Sequence, residues 1–382
     1  MRSQPIHIGL NAHLLSLSQS YRGAGISWYM VNLLKHLSRV SPDFFHYSAF
    51  LNDRLFAEPA LTLHISRLPT QQPFVRIFWE QFIQPMALRQ AQIDLLHALA
   101  FVAPVVASCP YVVTVYDLSF LRYPDAFRPF NRWYLSRFTT HSVKQARAVI
   151  TISESTRQDV INLLGAPAQR VHTIYCGVDP QFQPLPAGKV AQFKQAQGLP
   201  DTFVLFLGTL EPRKNVEGLI RAYALWRQHQ PNTPSLIIAG GKGWYYQRIF
   251  ELVTLLNLTE SVRFPGYIAQ DDLPLWYNAA TLFVYPSHFE GFGLPVLEAM
   301  ACGTPVITSN VSSLPEVTGR NGAARLVSPT DIAALADILA EVMSSAEMRA
   351  EMSRQGLSRA AEFSWEKTAR ETVALYQRVL AL

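Results

Sequence analysis

The chain is poor in charge, poor in cysteine and without any long apolar run, and each shortage removes a class of protein. Charged residues make up 16% of its 382 residues against 49% hydrophobic. That balance excludes a disordered, solvating chain and points to packed globular structure. The three cysteines, Cys109, Cys176 and Cys302, form no CxxC pair. They are too few and too scattered for a disulfide framework or a zinc site. No apolar stretch approaches the ~20 residues that span a bilayer. The first residues, MRSQPIHIGL, run into a strand without the core of a signal peptide. The expectation is a soluble cytoplasmic protein, with the inner face of a membrane as a second location if its basic half holds it there.

Charge of one sign is also scarce in half of the chain. Residues 1–180 carry 16 Lys and Arg against 10 Asp and Glu, whereas 181–382 carry 17 against 18. The basic first half includes the aromatic-rich segment PFNRWYLSRFTTHSVKQARA, bracketed by Arg128, Arg132, Arg137, Lys144 and Arg147. Two readings of this segment stand: a solvated helix face, or contact with an anionic membrane surface. Nucleic-acid binding is discounted, because no recognition motif accompanies the charge.

The length is about twice that of an ordinary domain, and short apolar runs alternate with helical periodicity in two successive series. The first series opens with Ile6–Asn11 and has its clearest strand at Tyr111–Val115, which delivers Tyr116 and Asp117 to a strand end. Open α/β sheets place their ligands there, although Asp117 reads equally well as a cap on the following turn. The segment 75–91 reads as a helix broken or kinked at Pro85. The proline- and glycine-rich stretch CGVDPQFQPLPAG separates the series. Two Rossmann-like α/β domains follow, 1–178 and 179–365.

Gly23 and Gly25 stand at the start of the first long helix, where a diphosphate could approach or the chain could simply turn. A dinucleotide fingerprint, with Asp43 at the ribose position, fails because Trp28 occupies the third glycine position. In the second series, Phe203–Leu207 leads into GTLEPRKN. Gly208 and Thr209 occupy the turn, and Arg213 and Lys214 sit beside a helix start, placed to neutralise a diphosphate. GGKGW follows the next strand, with Lys242–Trp244 expected to open a helix.

The densest stretch is 281–308, TLFVYPSHFEGFGLPVLEAMACGTPVIT. It reads as strand, glycine loop, short helix and second strand, with Pro295 in the first helical turn. The helix N-terminus at 292–295, with its free backbone N–H groups, makes a seat for phosphate or sugar oxygens, which glycines let approach closely. Glu290 lies before the helix and Glu298 one turn inside it, where a carboxylate could accept from a diol. The plainer alternative is a βα turn carrying two acidic residues.

This motif, FEGFGLPVLEAMACGTPVI, resembles the signature of the family-4 retaining glycosyltransferases. The resemblance covers nearly the whole chain and is strongest from 203 to 380. GTLEPRKN and GGKGW are similar to a subgroup that includes bacterial mannosyltransferases. The resemblance implies the GT-B class, two Rossmann-like domains facing a central cleft, with a C-terminal helix, 366–382, crossing back to the first domain. It implies that Glu290 and the amides of Gly291, Phe292, Gly293 and Leu294 hold donor sugar and phosphate. Glu298 would hold the ribose, and Tyr267 and Ile268 the base. Tyr116 stands where the family usually has a histidine beside Asp117.

The expected activity is retaining transfer of a sugar from a nucleotide sugar, GDP-mannose favoured, to a saccharide or lipid-linked saccharide. No Asp-x-Asp triplet occurs, so neither a metal nor a further cofactor is expected, and Arg213 and Lys214 would carry the leaving-group charge. UDP-sugar donors stay open. So does a protein that binds a nucleotide sugar without turning it over, since Tyr116 departs from the family pattern; a nicotinamide oxidoreductase is disfavoured by Trp28.

Overall fold

The computed structural model describes residues 5–17, 25–41, 44–319 and 322–381. Gly23 and Asp43 lie outside the described residues. The chain divides into two compact units, Met1–Gly177 with Ser364–Leu382, and Val178–Phe363.

The first unit is a parallel seven-stranded sheet. Its strands are β1 (Ile6–Asn11), β2 (Phe45–Leu51), β3 (Thr62–Ile65), β4 (Leu95–Ala98), β5 (Tyr111–Val115), β6 (Ala148–Thr151) and β7 (Val171–Thr173), in the order β3-β2-β1-β4-β5-β6-β7. β4 and β5 are buried at every position. Strands covered on both faces read as continuous apolar runs, which is why they were visible in the sequence. Helix Gly25–Val40 buries Met30, Leu33, Leu34 and Leu37. The C-terminal helix Trp365–Val379 is capped by Ser364, which accepts from the Lys367 amide. It is anchored to the sheet by the Tyr376 hydroxyl, 2.5 Å from Nδ1 of the buried His97, whose Nε2 lies 2.7 Å from Thr114 Oγ1.

The helix expected to break or kink at Pro85 continues as helix through it, with one irregular turn. It runs as α-helix over Pro73–Phe78, widens to a π turn over Trp79–Ile83 and resumes as Gln84–Gln90. The Gln84 amide reaches back to the carbonyl of Trp79. A proline ring clashes with the carbonyl four residues earlier, and one wide turn relieves the crowding.

The second unit is a parallel six-stranded sheet. Its strands are β8 (Phe203–Leu207), β9 (Ser235–Ala239), β10 (Val262–Gly266), β11 (Leu282–Tyr285), β12 (Val306–Ser309) and β13 (Ala324–Val327), in the order β10-β9-β8-β11-β12-β13. β8 and β11 are neighbours, with Leu282 opposite Val204 and Phe283 opposite Leu205. The loops after them therefore meet at one end of the sheet. Lys242–Trp244 do not open a helix; the helix begins at Gln247. Lys242 instead forms a parallel bridge with Leu210, and the Leu210 amide donates to Gly241. Glycine at 240 is what allows this: its φ is +143°, and a Cβ there would lie 1.9 Å from the Gly208 carbonyl oxygen. Thus GTLEPRKN and GGKGW form one pair of interlocked loops.

Candidate active site

Glu290, Lys214 and Arg213 converge at the carboxyl ends of β8 and β11. Lys214 Nζ donates to Glu290 Oε1 at 2.7 Å and to the Tyr285 hydroxyl at 2.5 Å. Arg213 Nη1 lies 3.3 Å from Glu290 Oε2 and donates to the Phe289 carbonyl at 2.9 Å. Lys214 and Glu290 are 8% and 7% exposed, so this ion pair sits in low dielectric. Burial pushes the Glu290 carboxyl up, but the adjacent Lys214 and Arg213 outweigh it and hold the carboxyl below its ordinary value. Burial also pulls Lys214 down, against the opposing charge of Glu290. With its carboxyl held low, Glu290 is therefore ionised at neutral pH. Lys214 has three donors and uses two of them here, which leaves one for an incoming oxygen.

The Arg213 fork is not directed as the sequence suggested. Nε and Nη2 both meet Oε1 of buried Glu211, at 3.0 and 2.8 Å. Arg213 therefore braces the loop and Glu290 rather than presenting a planar fork to a diphosphate. Local chain geometry sets this up. Pro212–Lys214 is one 3-10 turn ended by Asn215 in the left-handed region, and the Asn215 amide group donates to the carbonyls of Pro286 and Pro329.

The loop bearing Glu290 is held from beneath by two serines. Ser312 Oγ accepts from the Glu290 amide, and Ser313 Oγ lies 3.0 and 2.7 Å from the carbonyl oxygens of Glu290 and Phe292. Ser313 directly precedes the helix Leu314–Thr318, but its side chain makes no cap bond there and is spent on this loop instead. Helix Leu294–Ala301 begins from Gly293, whose φ is +109° and whose Cβ would strike Leu314 at 2.8 Å. Among the described residues the amides of Gly293 and Leu294 have no acceptor. That leaves two N–H groups at the positive end of the helix.

Glu298 is buried on the same helix, and its Oε2 accepts from the Tyr277 hydroxyl at 2.9 Å. Burial pushes its carboxyl up to about 7 despite the tyrosine bond. Gly208 packs against the Tyr285 ring, and Thr209 against the Gly243 backbone. Tyr267 is exposed and, with Ile268, follows β10 at the sheet edge, so no contact joins them to the Glu290 cluster.

The three remaining candidates belong to the first unit. Tyr116 is a core residue here: its hydroxyl donates to the Leu99 carbonyl at 2.6 Å and its ring meets Tyr29 edge-on. At the position where the family usually has a histidine, the polar atom of this side chain is thus already engaged within the first unit. Asp117 Oδ1 accepts from the Ser119 amide at 2.8 Å, which is the turn-capping arrangement. Gly25 is the first residue of its helix, with open space where a Cβ would stand.

Tyr285, Tyr277 and Glu211 were not singled out by the sequence, nor was the bracing of the Glu290 loop by Ser312 and Ser313. Tyr285 could have been found as the last residue of the strand that leads to Glu290. Tyr277 carries no local signal, since it meets Glu298 only through packing.

Two parallel α/β units, with ligand-competent groups at strand ends, define a GT-B glycosyltransferase. The description "Glycosyltransferase Family 4" matches residues 23–182, and "Glycosyl transferases group 1" matches 189–359. The O-antigen chain mannosyltransferase B of Escherichia coli is 35% identical over 268 residues, covering 70% of each chain. The serotype-specific mannosyltransferase WbdA of Escherichia coli is 34% identical over 255 residues, 66% of this chain and 31% of that protein. The protein belongs to the family-4 glycosyltransferases and is of the mannosyltransferase-like type. Sucrose-phosphate synthase from Thermosynechococcus elongatus shares the fold, with a TM-score of 0.82, 24% identity and coverage of 98% of this chain and 99% of that one. Anabaena HepE in complex with UDP and glucose gives 0.75, 20%, 98% and 100%. Among the described residues no helix is long and apolar enough to cross a membrane.

Proposed function

We propose that the protein transfers mannose from GDP-mannose, with retention, to a saccharide or lipid-linked saccharide. One observation carries the chemical reading: the buried Lys214–Glu290 salt bridge lies beside a helix N-terminus with two unclaimed amides. Glu290 accepts from sugar hydroxyls through the lone pairs that Lys214 and Arg213 leave over, and so positions the donor. Lys214 and the amides of Gly293 and Leu294 take the charge that develops on the departing diphosphate. Glu298 accepts from the ribose diol, and Tyr267 and Ile268 meet the base. The acceptor attacks the face from which the diphosphate leaves, and a phosphate oxygen takes its proton. Glu290, already tied by two cations, is a poor nucleophile, which favours this course over a covalent one. Charge stabilisation by Lys214 makes the reaction independent of divalent metal.

The choice of mannose rests on the likeness to two mannosyltransferases. The membrane reading rests on one face of the first unit. Phe74, Phe78, Phe82 and Met86 are all exposed at four-residue spacing, joined by exposed Phe130 and Trp133. The Phe74 and Phe130 rings are 5.0 Å apart, and exposed Arg128, Arg132 and Arg137 flank them. An aromatic face rimmed by cations suits an anionic leaflet.

The deciding experiment is melting temperature against GDP-mannose, GDP, UDP-glucose, UDP-N-acetylglucosamine and NAD without metal, followed by product analysis. Selective shifts with the guanosine ligands, and an α-linked mannoside resistant to chelator, are expected. A uridine-selective shift overturns the donor, and loss of transfer on chelation overturns metal independence.

A further inference from the structure

The loops that follow β1, β2 and β3 enclose a pocket of about 820 Å³ within the first unit, none of whose lining residues has a role in the donor chemistry proposed above. Three arginines line it: Arg54 after β2, Arg67 after β3, and Arg76 on helix Pro73–Phe78. Asp53 is the one carboxylate in the lining, and its oxygens accept from the amides of Leu17 and Leu55 at 2.6 and 2.8 Å. Both oxygens are therefore engaged by backbone amides, and its single charge against three arginines leaves the lining net positive. Arg54 and Arg67 make no ion pair among the described residues, and Arg76 has only a loose one, 3.8 Å to Glu80. Burial pushes the Glu80 carboxyl up to about 7, so this partner is only partly ionised near neutral pH.

A second observation concerns His13, which lines the same pocket and is 3% exposed. Its Nδ1 is 2.9 Å from Thr70 Oγ1, while its Nε2 is buried without a partner among the described residues. Burial and the nearby Arg76 pull its pKa down to about 3, so the ring is neutral. When the Thr70 hydroxyl donates to Nδ1, Nε2 carries the proton and is a donor in want of an acceptor. The walls are fixed, because Asn52 Nδ2 donates to the carbonyls of Leu68 and Ser66 at 2.7 and 3.2 Å. Unpaired guanidinium groups at strand carboxyl ends, with an unspent imidazole donor, fit a polyoxygen anion of compact size.

We propose that this pocket binds a phosphate or diphosphate group carried by the acceptor, making the acceptor a phosphorylated or lipid-phosphate-linked sugar. The assignment of an acceptor rests on the transferase reading above; the anion site itself does not. Arginine forks take two phosphate oxygens each, and the site would hold the anionic end of the acceptor while its sugar hydroxyl is presented for transfer.

The test is calorimetric titration of the full chain with inorganic pyrophosphate in saturating GDP, which occupies the donor site. The same titration is made on Arg54→Gln/Arg67→Gln and on Lys214→Ala. Losing charge-assisted bonds should weaken pyrophosphate about 10- to 100-fold per arginine and leave the Lys214→Ala titration unchanged. Binding that ignores the arginines, or that depends on Lys214, overturns the proposal. If GDP fails to bind while arginine-dependent pyrophosphate binding persists, the donor reading falls and the anion site stands. Competition separates the sources: mannose 1-phosphate displacing pyrophosphate indicates a soluble phosphosugar. Displacement by phosphatidylcholine vesicles carrying a polyprenyl phosphate, and not by plain vesicles, indicates a lipid-linked one.

Discussion

Lys214 Nζ and Glu290 Oε1 lie 2.7 Å apart although 76 residues separate them, and both side chains are almost wholly buried. Neither group is stable there alone, since an unpaired buried charge costs several kcal/mol. Lys214→Ala should lower turnover by roughly 10²–10³, the scale of losing one charge-stabilising group. It also removes the main opposing charge that holds Glu290 down, so the variant's acid limb should move to higher pH. Glu290→Gln should cut turnover severely, and the double variant should be little worse than either single one. Steady-state transfer across a pH series checks all three; additive losses would show that the two groups do not act as a unit.

A second prediction follows from Glu298. Its carboxyl is raised to about 7 in the folded protein, from 4.5 when unfolded. Between those values the folded state holds a proton that the unfolded state has lost, so ligand-free stability falls as pH rises from about 4.5 to 7 and levels above it. Glu80, also raised to about 7, acts in the same direction. Donor binding has the opposite dependence, because ribose hydroxyls donate best to the ionised carboxylate. Affinity for GDP should strengthen as pH passes 7, and Glu298→Gln should remove most of that dependence. A pH-independent affinity in the parent protein would detach Glu298 from the ribose.

Gly177 offers a test of stability apart from chemistry. It is where the chain leaves the first unit, and a Cβ there would lie 2.1 Å from the backbone nitrogen of Trp365, where the chain re-enters. The obstacle is backbone, which cannot rotate away. Gly177→Ala should destabilise by about 3 kcal/mol, the upper range for overpacking, read from the denaturant midpoint. An unchanged midpoint would mean that the two segments separate at little cost.

The exposed aromatic face makes a prediction about partition. Phe78→Ser/Phe82→Ser should weaken flotation with vesicles containing phosphatidylglycerol by about tenfold or more, given ~1.5–3 kcal/mol for each fully buried aromatic side chain, and leave transfer to a soluble acceptor intact. Equal flotation of both proteins would remove the membrane contact. Flotation that vanishes at high salt in the parent would assign most of the binding to Arg128, Arg132 and Arg137.

The sequence by itself determined the two parallel sheets, because β4, β5, β8 and β11 are buried on both faces and so appear as unbroken apolar runs between turn residues. It determined the start of helix Leu294–Ala301 as well, since proline in the first turn and glycine before it act locally. Glu290, Lys214 and Arg213 were legible as candidates because each sits on a loop just after a recognisable strand. Tertiary structure alone decided what these groups do to one another. The turning of Arg213 onto Glu211, the use of Ser313 as a loop brace, the pairing of Tyr277 with Glu298 and the burial of Tyr116 against Leu99 all depend on contacts between distant segments. Periodicity records which face of an element is apolar, whereas the direction of a buried polar group is set by whichever partner packing brings within 3 Å. The helix through Pro85 makes the same point for backbone: a local rule forecast a break or kink, and the folded chain accommodates the proline with one wide turn.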